Sequence, residues 1–115
     1  MLFRSLRRIV GEQTFTGIPG LKAADSIGVV PDFRKKYDLF EIPFGSLYSS
    51  ACSNLFAAGR CISAEGDGWH IARVIGPCCL TGEAAGLAAS LTGNIEAVQK
   101  KLSKNNVILK HEIFN

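Results

Sequence analysis

The sequence has few of the residues that mark metal-binding, disulfide-rich or secreted proteins. Its 115 residues include only four cysteines and one tryptophan. No two of the cysteines have the CxxC spacing, which argues against a zinc site or an iron–sulfur cluster in this chain; they are Cys52, Cys61, Cys78 and Cys79. The N-terminal residues do not resemble a secretory signal, so we expect reduced thiols and a cytoplasmic location.

Long apolar runs and blocks of like charge are also absent. The most apolar stretch, residues 78–98, is interrupted by Glu83 and Glu96, so it does not predict a membrane span. The formal charge of +3 comes from 13 basic and 10 acidic residues that are spread along the chain. This distribution is typical of a solvated surface and argues against nucleic acid as a partner.

Hydrophobic residues, by contrast, are abundant. They make up 47% of the chain, which excludes a disordered tail. A sheet covered by helices on both faces usually needs more than 115 residues. We therefore expect the chain to bury apolar surface against other protein as well as within itself.

Three short segments predict β-structure. Residues 27–30 include three β-branched side chains and predict a short strand that Pro31 stops. Residues 39–47 contain Pro43 and predict an edge strand or an extended crossover. The run Leu55–Ala58 is apolar and short, which favours a buried parallel strand. After it, residues 63–76 contain three glycines without a clear period, and we predict a functional loop there.

Two helices are predicted in the C-terminal half. The first begins at Pro77 and runs to about Leu91, with an apolar stripe on one side and a second face of small residues that predicts a close neighbour. The second helix is capped by Asn94. It ends at an asparagine, 105 or 106, and an extended tail follows. We divide the chain into a β-rich segment (1–45), a strand–loop–helix unit (46–92) and a C-terminal helix with its tail (93–115).

The residues around the predicted strand and helix suggest an anion site. Gly59 allows close backbone approach to a ligand and Arg60 can bind an anion, although a strand cap with an exposed arginine explains both equally well. The helix start at Pro77 offers free N–H groups, and simple packing of helix on sheet is the alternative. Gly66 and Gly68 come nearest to a GxGxxG motif, but Ile71 replaces the third glycine and no strand directly precedes them. We reject a dinucleotide fingerprint.

Two blocks carry a family resemblance: "SNLFAAGRCIS" at 53–63 and "ARVIGPCCLTGEAAGLAAS" at 72–90. Together they resemble the C-terminal flavin-binding segment of the FAD-dependent oxidoreductase family that includes heterodisulfide reductase-like flavoproteins. The segments at 4–17 and 40–47 are similar to the family's lead into that segment. The resemblance implies an α/β fold, the C-terminal part of a Rossmann-like FAD-binding domain that is incomplete as a stand-alone domain.

The resemblance also implies site residues. The strand end would lie beside the ribityl and diphosphate part of FAD, at Gly59, Arg60 and Cys61. The helix start would face the pyrimidine edge of the isoalloxazine, at Pro77, Cys78, Cys79 and Leu80, with Gly82 for close packing. Arg73 corresponds to a loop arginine that faces flavin or substrate. His70 comes later than the family's histidine, so the catalytic residue stays open, with Arg73 and His70 as candidates.

The family's N-terminal strand, glycine-rich turn and helix, which bind the ADP half of FAD, have no counterpart here. We therefore expect the C-terminal part of a longer flavoprotein, whose partner is the missing portion or a second copy. FAD would belong to the complete protein, and any iron–sulfur cluster would lie elsewhere in it. Two alternatives remain open: a non-catalytic fragment or subunit that docks on a partner and binds no cofactor, and thiol–disulfide exchange through Cys78 and Cys79. We expect Cys61 to be buried and Cys52 to be partly exposed.

Overall fold

The fold combines a two-stranded sheet with three helices. The computed structural model describes residues 7–32, 34, 38–52 and 54–110. In chain order the elements are β1 (Ser26–Pro31), β2 (Leu39–Pro43), α1 (Asp67–Ala72), α2 (Ile75–Ser90) and α3 (Ile95–Lys104). Single 3-10 turns lie at Phe44–Ser46 and Gly59–Cys61. The α/β class expected from the sequence is confirmed.

The sheet is antiparallel, and both of its strands were expected. β1 contains the strand predicted over 27–30, and β2 occupies the first part of the predicted edge segment. Val30 faces Phe40, and the register shifts between Ser26 and Gly28. Pro43 is the last residue of β2, where a missing N–H interrupts no central ladder.

The parallel strand predicted at 55–58 is wrong. These residues form no strand, and Leu55 is 63% exposed. Ala57 donates its backbone N–H to the carbonyl of Leu47 at 2.7 Å. A buried parallel strand needs a ladder of such bonds on both edges, and the sheet of the described residues contains only β1 and β2. The apolar run is therefore an extended connection into the turn at Gly59.

The predicted loop at 63–76 contains a helix, which is a second correction. Gly66, at a φ of +57°, precedes α1, and Gly68 within it is buried. A Cβ on Gly68 would lie 2.0 Å from the carbonyl oxygen of Phe15. Gly68 therefore serves close packing against the segment around Phe15, so the glycines do not make the whole stretch a loop.

Helix α2 begins two residues before the predicted Pro77. Proline is tolerated there because the first-turn positions of a helix need no N–H donor. The stripe of α2 that faces the protein interior is buried at Thr81, Ala84 and Ala88. Its face of small residues is exposed at Gly82 and Gly86, and a Cβ added at either would meet no described atom within 4 Å. The close neighbour predicted for this face does not come from the described part of the chain.

The last helix and the tail follow the prediction as far as residue 110. The side chain of Asn94 accepts hydrogen bonds from the N–H groups of Glu96 and Ala97, which caps α3. Asn106, at a φ of +68°, follows its end. Residues 107–110 then run beside β1, where Val29 donates to the carbonyl of Ile108 at 3.0 Å. Residues 111–115 lie outside the described part of the chain.

One core joins these elements. Both strands, the residues just after β2, the residues before α1, and helices α1 and α3 contribute fully buried aliphatic side chains: Ile27, Ile42, Leu47, Ile62, Ile71, Val98 and Leu102. Helix α2 contributes the buried Ala84 and Ala88. Helices α2 and α3 both contact β1. Across the residues that the structure describes, none of the helices has the length and apolarity needed to cross a membrane.

Candidate anion site at the start of helix α2

A buried threonine holds the turn at Gly59 against the start of α2. The N–H of Gly59 donates to Thr81 Oγ1 at 2.9 Å, and this hydroxyl donates to the carbonyl of Cys78 at 3.2 Å. Thr81 is completely buried. Gly59 has a φ of +70°, a left-handed conformation that explains the glycine at this position. The turn that carries Arg60 is thereby fixed beside the helix.

The turn and the helix together form a cleft of about 470 Å³, which we call the arginine notch. Its lining consists of Arg60, Arg73, Val74, Ile75 and Gly76. Two guanidinium groups thus border the space in front of the helix. The structure brings together the two arginines that the sequence suggested, and adds the first residues of α2.

The helix start adds a further positive potential to the notch. The first backbone bond of α2 runs from the N–H of Cys78 to the carbonyl of Val74 at 3.0 Å. The N–H groups of Ile75 and Gly76 precede it and have no acceptor within the helix. They also carry the positive end of the helix dipole. The free donors are therefore at Ile75 and Gly76, two residues before the predicted start.

Arg73 is fixed by an aromatic contact. Its guanidinium carbon lies 5.0 Å from the ring centroid of Trp69, a cation–π contact. Its Nε atom is buried and has no hydrogen-bond partner among the described residues. A buried donor without an acceptor is costly, so an anion that accepts from Nε would stabilise this side chain. The notch therefore fits an anionic or electron-rich ligand.

The cysteines near the notch differ in exposure. Cys78 is half-buried, and its Sγ lies 3.5 Å from the carbonyl oxygen of Arg73. Burial raises the pKa of the Cys78 thiol, and the nearby charge of Arg60 opposes this only in part. The thiol is therefore protonated at neutral pH, which does not favour a nucleophilic role.

The other thiols are exposed. Cys61 was expected to be buried, and this is wrong: it is exposed, because the turn Gly59–Cys61 contains no buried residue. Its Sγ lies 3.3 Å from the carbonyl of Ala58. Cys52 and Cys79 are exposed too. The four cysteines are all free, and the described residues contain no cluster of potential metal ligands.

Three of the residues suggested by the resemblance do not line the notch. Pro77 and Leu80 line an apolar cleft of about 390 Å³ formed with β1, next to the notch and sharing Val74 and Gly76 with it. Leu80 packs on Gly28 so closely that a Cβ added to Gly28 would lie 2.4 Å from Leu80 Cδ2. Gly82 lies on the exposed face of α2.

His70 faces another cleft. With Arg7, Arg8 and Trp69 it lines a space of about 430 Å³ that does not include Arg60 or Arg73. The two catalytic candidates, His70 and Arg73, are therefore not brought to one cleft. The sequence reasoning also missed the contact of Trp69 with Arg73. Their spacing of four residues would have indicated it, had α1 been recognised.

Comparison with known families gives one match. A family model described as FAD dependent oxidoreductase matches residues 21–110. The match spans both strands, the three helices and every residue of the arginine notch. Comparisons with curated proteins and with solved structures give no match.

Proposed function

Since the chain belongs to the FAD dependent oxidoreductase family, we propose that it forms one side of a flavin site used for hydride or electron transfer. The proposed contribution is to the ribityl, diphosphate and isoalloxazine side of FAD. Within the family, the paired blocks at 58–63 and 82–89 favour the heterodisulfide reductase-like flavoproteins. The four free thiols support a reducing compartment such as the cytoplasm.

The observation that carries this proposal is the composition of the arginine notch. Arg60, at the turn that Gly59 makes possible, would hold the diphosphate and ribityl part of FAD. Arg73 and the first N–H groups of α2 would face the pyrimidine edge of the ring. Arg73 supports this fit, because it lines the notch and its buried Nε donates to no described residue. Bound FAD would supply the acceptor of a hydride or electron pair.

The residues of this chain would orient the flavin and set its electrostatic surroundings. The guanidinium of Arg73 and the N–H groups of Ile75 and Gly76 stabilise negative charge in front of the helix. Trp69 holds Arg73 in place through the cation–π contact. Pro77 is buried and Leu80 is half-buried beside the notch, so their apolar surface limits the access of water.

The ADP half of FAD would be held by another polypeptide segment. We propose that this segment packs on the exposed small-residue face of α2, at Gly82 and Gly86, and on Leu55. All three residues are exposed. Glycines on a helix face allow close approach of a second backbone, which supports an adjoining protein segment. A second copy of the chain is the alternative occupant.

Flavin titration of purified protein tests the proposal. The chain is titrated with FAD alone, and again after co-expression with the product of the adjacent coding sequence. We expect flavin binding in at least the second case. Arg60→Gln and Arg73→Gln should each weaken it by about tenfold, because each removes a charge-assisted hydrogen bond. Lys100→Gln on α3 is the control: it makes the same charge change outside the notch and should leave binding unaltered.

Failure to bind flavin in both preparations would refute the proposal. It would favour the alternative of a chain that docks on a partner without a cofactor. Binding that is unchanged in both arginine variants would also refute the role given to the notch.

A further inference from the structure

A second cleft, distinct from the arginine notch, combines positive charge with an aromatic wall. We call it the tryptophan cleft: the space of about 430 Å³ whose lining includes Arg7, Arg8, Glu65, Trp69 and His70. These side chains come from the N-terminal segment and from α1 with the residues before it. Arg7, Arg8 and His70 take no part in the flavin contacts proposed above.

The tryptophan cleft has a net charge of +1, because two arginines and one glutamate line it. Arg8 pairs with Glu65 at 3.2 Å and donates to Ser63 Oγ at 3.3 Å. This pair fixes Arg8 and neutralises the carboxylate. Arg7 then provides the net positive charge of the cleft, and the imidazole of His70 provides a further ring N–H donor. Such a set favours a single anionic group as the ligand.

The aromatic wall of the cleft is held on two sides. The ring centroids of Trp69 and His70 are 5.0 Å apart at an interplanar angle of 74°, an edge contact. Arg73 lies over the Trp69 ring at 5.0 Å. These contacts restrict the indole, which is half-buried and offers its remaining apolar surface to the cleft. A fixed aromatic surface next to a cation suits a planar apolar body that carries an acid group.

We propose that the tryptophan cleft binds the carboxylate of a small planar, aromatic acid. Arg7 and His70 donate to the carboxylate, and Trp69 contacts the planar body. That this acid is the substrate of the oxidoreductase rests on the function proposed above. Trp69 supports this assignment because it lines the tryptophan cleft and also contacts Arg73 of the arginine notch. The binding itself does not depend on flavin.

The binding can be measured on the flavin-free chain by NMR. Trp69 is the only tryptophan, so its indole N–H gives one cross-peak that reports on this cleft. Benzoate serves as the probe, and benzamide is its neutral counterpart. We expect benzoate to shift the peak with saturation, and benzamide to bind about tenfold more weakly because it cannot pair with Arg7.

Three variants locate the binding. Arg7→Gln and His70→Gln should each weaken benzoate binding, the first by about tenfold, whereas Arg7→Lys should restore part of it. Lys100→Gln, outside the cleft, should have no effect. A dispersed spectrum of each variant shows that it is folded. Equal binding of benzoate and benzamide, or benzoate binding that Arg7→Gln leaves unchanged, would overturn the proposal.

The outcome is separable from that of the flavin proposal. Benzoate binding without flavin binding would support the cleft and refute the oxidoreductase site. Flavin binding without benzoate binding would refute the acid site and leave the flavin proposal standing.

Discussion

Thr81 shows how one side chain can fix the geometry of the arginine notch. Its hydroxyl accepts from the N–H of Gly59 and donates to the carbonyl of Cys78, so both functions of the group are used. Because Thr81 is completely buried, water cannot replace either bond. The turn that carries Arg60 depends on this hydroxyl for its position relative to α2.

Replacing Thr81 by valine should therefore destabilise the protein. Valine keeps the shape but removes the acceptor for the N–H of Gly59, so we expect unfolding free energy to fall by about 1–2 kcal/mol. Urea unfolding followed by circular dichroism measures the change. Ser90→Ala is the matched control on the same helix. It removes a hydroxyl that is exposed and donates to the carbonyl of Leu87, and should cost less than about 0.5 kcal/mol. Equal effects of the two substitutions would contradict this role for Thr81.

At the scale of elements, two helical glycines have opposite surroundings. Gly68 in α1 lies against the backbone of Phe15, and a Cβ there would lie 2.0 Å from a carbonyl oxygen. Gly86 in α2 has open space where a Cβ would be. Intrinsic helix propensity favours alanine over glycine at both positions by about 1 kcal/mol. Only the packing of the two helices distinguishes them.

We expect Gly68→Ala and Gly86→Ala to change stability in opposite directions. The first forces α1 away from the Phe15 segment and should cost about 3 kcal/mol, which exceeds the gain in helix propensity. The second should stabilise the chain by about 0.5–1 kcal/mol. Thermal and urea unfolding of the two variants provide the measurement. A stabilising Gly68→Ala substitution would show that α1 does not pack on Phe15 as described.

At the scale of the whole molecule, residues 107–110, which follow α3, pack against the first strand. Val29 donates to the carbonyl of Ile108, and the buried hydroxyl of Ser26 donates to the carbonyl of Leu109 at 2.6 Å. Lys110 adds an ion pair with Glu41 of β2 at 3.5 Å. Residues 107–110 thereby cover the edge of β1 that does not pair with β2. An uncovered strand edge can pair with a strand of another chain, so this cover should limit self-association.

A chain that ends at Asn106 should therefore be less stable and should self-associate more. We expect a loss of about 2–3 kcal/mol from the two hydrogen bonds and the ion pair. Urea unfolding and light scattering measure the two effects. The control is a chain that ends at Lys110, which retains all three contacts. Similar stability of both truncated chains would exclude a structural role for the tail.

Sequence reasoning predicted those elements whose signals are local. The strand at 27–30, the cap at Asn94 and the helix end at Asn105 or Asn106 each depend on neighbouring residues, and the structure has all three. The strand at 55–58 was wrong because an apolar run does not specify its partners. The helix α1 was missed because its glycine suggested a loop, whereas Gly68 is required by contact with Phe15, a residue distant in sequence.

The sequence by itself determined the family, the α/β class and the two arginines of the notch, since these follow from residue types and their order along the chain. Tertiary structure alone decided which side chains share a cleft. Arg60 and Arg73 line one cleft together with Ile75 and Gly76, whereas His70 lines another. The physical reason is that a cleft forms between segments far apart in sequence. Bonds such as the one from Gly59 to Thr81 fix their separation, and no local pattern encodes it.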